Sequence, residues 1–181
     1  MKINRSGFTL VELTIVISVI TILAIITVTS YSGIQRRSRD TTRLADANNI
    51  IKAIDIYEGE TGTFPATSAS PGANGCTGNG YSYSWATDGT WLNPLVTGNF
   101  INAAPKPPQN SCTVWYAYLK PAPTDYGCSS RTKPYYVLWI KTEGAVAAPS
   151  FSKTFTPCVG SSITWTANST NWIIASDNLP S

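Results

Sequence analysis

From Phe8 to Val28 the chain reads FTLVELTIVISVITILAIITV, 21 residues in which Glu12 is the one ionisable side chain. About 20 apolar residues, each rising about 1.5 Å along a helix, cross the hydrocarbon core of a bilayer, so this run predicts a transmembrane helix. A secretory signal would have a shorter apolar core with a small-residue cleavage site after it, and no Ala-x-Ala exit follows this run. The helical period continues beyond it. Leu44, Ala47, Ile51 and Ile54 recur at steps of three and four, flanked by Ile50 and Tyr57, while Arg43, Asp46, Asn49, Lys52 and Asp55 form the polar face. No proline precedes Pro65, and only Gly7 and Gly33 interrupt the first 58 residues. The pattern therefore predicts one helix from Phe8 to Glu58, lipid-facing in its first half and amphipathic in its second. Gly59, Gly62 and Pro65 in EGETGTFP stop it.

After Pro65 the pattern changes to short β-branched and aromatic runs between turn residues. TSASPGANGCTGNG is a loop by its Pro-Gly and Asn-Gly pairs, and residues 84–96 predict a short element around Trp85, Trp91 and Leu95. Thr113–Leu119 and Tyr135–Lys141 predict an antiparallel pair of strands joined by a long loop that holds Cys128. Further strands are expected at Ser162–Thr166 and Asn171–Ala175. The fold class is α+β, a long N-terminal helix whose second half packs against a small antiparallel sheet. No internal repeat is evident.

Composition sharpens the division. All four cysteines, all six tryptophans and every one of the twelve prolines except Pro65 lie beyond residue 65. The chain has no histidine, which excludes a Ser-His-Asp triad, a Cys-His pair and any His-ligated metal, and no nucleophile with a base is recognisable, so no enzyme is expected. The net charge of +3 is too small to imply nucleic-acid binding by itself. Lys2 and Arg5 precede the apolar run, and Arg36, Arg37, Arg39 and Arg43 follow it, so flanking charge leaves the membrane orientation open. The arginines could contact DNA or lipid headgroups, but a solvated anchor or a pairing face between subunits is the plainer reading of such a cluster.

An even number of cysteines, Cys76, Cys112, Cys128 and Cys158, with no Cys-x-x-Cys pair, points to two disulfides in an oxidising compartment instead of a zinc site. Sequence does not choose among the three pairings. Cys76 with Cys112 and Cys128 with Cys158 would tie each long loop to the sheet and is the pairing expected here. Alternation along the strands leaves Trp115, Tyr135 and Trp139 as an outward stripe. Such a stripe could stack on sugars or bases; the plainer reading packs it under the C-terminal segment with Phe151, Phe155, Trp165 and Trp172. Asn168-Ser169-Thr170 matches the N-glycosylation sequon, a short pattern that often arises by chance.

Glu12 remains. A carboxylate in the middle of a bilayer costs on the order of 3 kcal/mol and marks function by default. No lysine or arginine lies within helical reach, Arg5 being seven positions away. The segment Arg5-Ser6-Gly7-Phe8-Thr9-Leu10-Val11-Glu12-Leu13 resembles the class III signal of type IV prepilins and pseudopilins: a short basic leader ending in glycine, then phenylalanine, an apolar run, and glutamate at the fifth position after the cut. The resemblance extends to the long helix, the TGTFP segment, the strands and the cysteine-bearing C-terminal part.

This resemblance implies that a prepilin peptidase in the membrane cuts between Gly7 and Phe8 on the cytoplasmic side, and that Phe8 becomes an N-methylated terminus. Residues 1–7 are then the leader, 8–58 the long helix with 8–28 as transmembrane segment and filament core, and 59–181 a globular head outside the membrane. Glu12 would pair with the Phe8 amine of a neighbouring subunit, setting register, while Leu10, Val11, Ile15, Ile17, Val19, Ile22, Leu23 and Ile26 supply apolar cohesion. The implied product is a homopolymeric extracellular filament for adhesion, motility or DNA uptake, built from a membrane-held precursor by an assembly ATPase and membrane platform. The alternatives are a minor pilin or pseudopilin of a type II secretion or competence system, and a membrane-tethered monomeric adhesin. Two departures stand out. Thr21 and Thr29 occupy places where many members carry a helix-loosening glycine and proline, leaving Ser30, Ser32 and Gly33 as the weak points. An Asp-rich C-terminal calcium loop is absent, with only Asp177 near the end, so no metal or other cofactor is expected.

Overall fold

The computed structural model describes residues 7–69, 76–129, 131–144 and 146–176. Lys2, Arg5, much of the Pro-Gly and Asn-Gly loop, and Asp177 lie outside the described residues, as do the side chains of Thr29, Ser30 and Ser32. The chain divides into two compact units, Met1–Arg39 and Asp40–Ser181.

The first unit consists of the N-terminal part of helix α1, which runs without interruption from Leu10 to Thr61, through both Thr21 and Gly33. Its Leu10–Thr27 window has a mean hydropathy of 2.6 and no buried residue. Isolated hydroxyls on such a surface would be costly in lipid. The chain avoids this by folding them back onto the helix: Thr14 donates to the Val11 carbonyl at 2.9 Å, and Ser18, Thr21 and Thr27 donate to the carbonyls of Thr14, Ile17 and Leu23 at 2.7 Å.

In the second unit the remainder of α1 lays Ala47, Ile50, Ala53 and Ile54 against a four-stranded sheet. The buried stripe is rotated slightly from the one that spacing suggested. Leu44 is 37% exposed, and Arg43, one position earlier, takes the buried place. The sheet is an antiparallel meander in the order β1 (Ser82–Tyr83), β2 (Tyr116–Leu119), β3 (Val137–Lys141), β4 (Asn171–Ala175), with a short helix α2 (Asn93–Thr97) between β1 and β2. Tyr118 pairs with Leu138, and Leu138 with Ile174, so the strands present matching faces.

Both faces of the sheet are covered, which explains why its strands carry apolar residues at nearly every position instead of alternating with polar ones. Tyr116, Tyr118, Leu138, Ile140, Trp172 and Ile174 face α1. Tyr83, Ala117, Leu119, Val137, Trp139 and Ile173 face a second layer built from Trp85, Phe155 and Trp165.

The predicted strands are trimmed at their starts. Ser111 folds residues 111–114 into a turn, its Oγ accepting the Thr113 and Val114 amides, so β2 begins at Tyr116. The strand expected at Ser162–Thr166 reduces to a single bridge between Trp165 and Phe155, because Ser161 and Ser162 turn away to the Tyr126 carbonyl. The strand expected at Asn171–Ala175 has those bounds.

Candidate functional site

The N-terminal segment is built by a local rule. Thr9 Oγ1 accepts the Glu12 amide at 3.2 Å, and the Glu12 carboxylate accepts from the Thr9 amide at 2.8 Å and from the Thr9 hydroxyl at 2.7 Å. This reciprocal capping box satisfies amides that the first turn of a helix otherwise leaves without partners. A carboxylate there also meets the positive end of the helix dipole. Within its own chain Glu12 is therefore held by an amide and a hydroxyl, where sequence reasoning sought only a cation. The signal for this was present as Thr-x-x-Glu ahead of an apolar run.

Gly7 and Phe8 sit immediately before this cap. Phe8 is 87% exposed, and a Cβ placed on Gly7 would meet nothing within 4 Å. Among the described residues nothing demands glycine at position 7. The arrangement is an accessible peptide bond followed by a capped helix whose first 18 residues are predominantly apolar, which suits recognition by another protein and packing among like helices.

In the second unit the structure joins Cys76 to Cys112 and Cys128 to Cys158, with Cα separations of 5.2 and 5.7 Å. Arg131 secures the second bridged loop: its guanidinium lies 4.1 Å from the Tyr135 ring centre and donates to the Pro157 carbonyl at 2.8 Å. Among the described residues no cluster of three or more His, Cys, Asp or Glu could hold a metal.

Two sequence readings need correction. Arg43 does not belong to a solvated basic face. It is fully buried, with Nη1 2.6 Å from Asp40 and Nη2 3.0 Å from Glu143. Arg36 and Arg37 are exposed and Arg39 is half-buried. The stripe of Trp115, Tyr135 and Trp139 is covered, as the plainer reading expects, and is not an open platform for sugars or bases. Trp139 meets Trp165 edge-on at 5.5 Å, Tyr135 packs on Phe155 at 5.6 Å, and Trp115 meets Tyr83 at 5.3 Å. Phe151 and Trp172, grouped with that layer from sequence, belong to the opposite face under α1.

Buried polar groups beneath α1 have displaced ionisation. Burial pushes the Asp46 carboxyl above its usual value, against the opposing effect of the Tyr116 hydroxyl that donates to it at 2.8 Å. Burial, then the negative charge of Asp46, drives the Tyr116 hydroxyl far above the usual tyrosine range. Burial also raises Asp55, helped by repulsion from Glu58.

A family profile described as the prokaryotic N-terminal methylation motif matches residues 2–28, the segment holding Gly7, Phe8 and Glu12. The chain is also similar to the type IV wide pilus major component PilA4 of Thermus thermophilus, 33% identical over 66 residues, which is 36% of this chain and 50% of that protein. The chain thus spans about half the length of the curated relative it matches. No solved structure matches it.

Proposed function

We propose that this type IV pilin is a structural subunit that waits in the cytoplasmic membrane as a precursor and polymerises through α1 into an extracellular filament. Residues 1–7 are the leader, removed between Gly7 and Phe8 by a prepilin peptidase; residues 8–28 form the membrane segment and later the filament core; residues 59–181 are the displayed head, tied by the two disulfides. Orientation follows from the side on which the leader is cut, which places the head and its cysteines in the oxidising space. An assembly ATPase acting through a membrane platform supplies the work of extraction.

One observation carries this reading: the Leu10–Thr27 surface is predominantly apolar and wholly uncovered, with its hydroxyls folded back onto the helix and Glu12 as its only charge. In the precursor, lipid covers it. Once the subunit leaves the membrane, water would expose the same surface at about 25 cal/mol per Å², so only lateral packing with other such helices keeps it stable. Cutting before Phe8 creates an amine next to the capped turn. The Glu12 carboxylate, held at that turn by Thr9, is positioned to accept the Phe8 amine of a neighbour in a low-dielectric core. Its contribution is chiefly register, since desolvation of both charges offsets most of the attraction.

The test is Glu12→Ala in the cells that make the protein. The expected result is that the subunit stays folded, membrane-inserted and disulfide-bonded while its yield in sheared surface filaments falls at least tenfold. Undiminished filament yield would refute the register role. Mass spectrometry of the filament protein is expected to find a methylated Phe8 as first residue; an intact Met1 would refute processing.

A further inference from the structure

The geometry points to Asn168 as an acceptor for N-linked glycosylation by a lipid-linked sugar donor. Asn168-Ser169-Thr170 forms the tip of a hairpin in which Asn168 and Asn171 exchange backbone hydrogen bonds, at 2.9 and 3.3 Å. The tip is fixed from below: the Ser169 carbonyl accepts the Val146 amide at 2.7 Å, and the Thr170 carbonyl accepts the Thr142 amide at 3.0 Å. Thr142 Oγ1 also reaches the Ser169 carbonyl at 3.3 Å. Asn168 and Ser169 are themselves exposed. The turn is thus rigid in its backbone and open at its acceptor side chain.

The carboxamide is arranged for the chemistry. Asn168 Oδ1 accepts from the Thr170 hydroxyl and the Thr170 amide, each at 2.9 Å, from the Asn171 amide at 3.0 Å and from Asn171 Nδ2 at 3.3 Å. All four bonds use the carbonyl oxygen and none uses Nδ2. Donors gathered on Oδ1 draw electron density onto it and ease loss of an Nδ2 proton. The donor is a polyprenyl diphosphate-linked saccharide. Asn168 Nδ2 bonds to the anomeric carbon of the sugar while the bond from that carbon to the diphosphate oxygen breaks. The polyprenyl diphosphate leaves with its electron pair, and the Nδ2 proton passes to a base of the transferase. The Thr170 hydroxyl marks the site for the enzyme, which is why the third position must carry an oxygen.

The inference rests on the reading that the head faces the extracytoplasmic side, where such transferases work. The experiment is mass spectrometry of the full-length protein isolated from its own cells, with Asn168→Gln, Thr170→Val and Thr170→Ser as variants and disulfide formation as the check on export and folding. A saccharide mass on Asn168 is expected in the parent chain, wholly lost in Asn168→Gln and Thr170→Val, and retained in Thr170→Ser. A bare Asn168 on chains with both disulfides formed would overturn the inference, as would modification persisting in Thr170→Val. A glycosylated Asn168 on chains that keep Met1 would support it while refuting the filament reading.

Discussion

Arg43 shows how one side chain can take a structural post that its surroundings in sequence disguise. Following Arg36, Arg37 and Arg39, it reads as one more solvated cation, yet steps of four, three and four from it reach Ala47, Ile50 and Ile54, all buried. Helical periodicity fixes the spacing of a stripe better than its phase, because a long arginine stem packs like an apolar residue and the charge is satisfied at its end. Asp40 and Glu143 supply that satisfaction and are themselves partly exposed, at 24% and 19%. Replacing Arg43 by alanine removes the cation that bridges the two carboxylates and opens a void; a loss of about 3 kcal/mol is expected by chemical denaturation of the detergent-solubilised chain. Arg43→Met, which keeps the packing, is expected to recover part of that loss. Equal losses in the two variants would show that charge alone matters. Glu12 teaches the same lesson: its local partner Thr9 is legible in the sequence as a capping box, a neutral partner where a carboxylate in an apolar helix suggests a cation.

At the scale of elements, the long helix was legible because two signals of different kind, hydropathy and then amphipathic period, run on without a breaker. The strands were legible in place but not in extent. A sheet covered on both faces loses the alternation that marks a strand, and its ends are then set by turns such as the one at Ser111, which depend on contacts distant in sequence. A two-residue strand such as Ser82–Tyr83 leaves no periodic trace. The layer over the far face is held by aromatic packing and by the Cys128–Cys158 bridge, so both should be structural in their effect. Trp139→Ala is expected to cost about 3–5 kcal/mol of stability. Opening the bridge with Cys128→Ser and Cys158→Ser together is expected to cost about 3–4 kcal/mol, as a closed loop of about 30 residues regains its freedom in the unfolded chain. Urea midpoints of the two variants measure both. A Trp139 variant with unchanged stability would mean that this face is open for binding after all.

For the whole molecule, Asp40–Ser181 contains both apolar cores and both disulfides, so a chain restricted to those residues is expected to fold alone and stay soluble without detergent. Its tyrosines provide the check. Burial pushes the Tyr83 hydroxyl from its ordinary 10.0 up to about 12, and pushes Tyr116, Tyr118 and Tyr136 further still. In each case the folded state holds its proton more tightly than the unfolded state. The stabilisation is therefore complete below pH 10, declines once the unfolded chain ionises there, and is lost as the pH rises through the folded value. Several such groups act together, so alkaline titration should release tyrosinate absorbance in one steep step that coincides with the change in tryptophan fluorescence. Residues 1–39 contain no tryptophan and a single tyrosine, Tyr31, which is exposed and belongs to no core. The truncated head and the full chain in detergent should consequently unfold at the same alkaline midpoint. A gradual rise in absorbance starting near pH 10 in the head, with the full chain still showing the steep step, would mean that the head needs the N-terminal part of α1 to hold its core together.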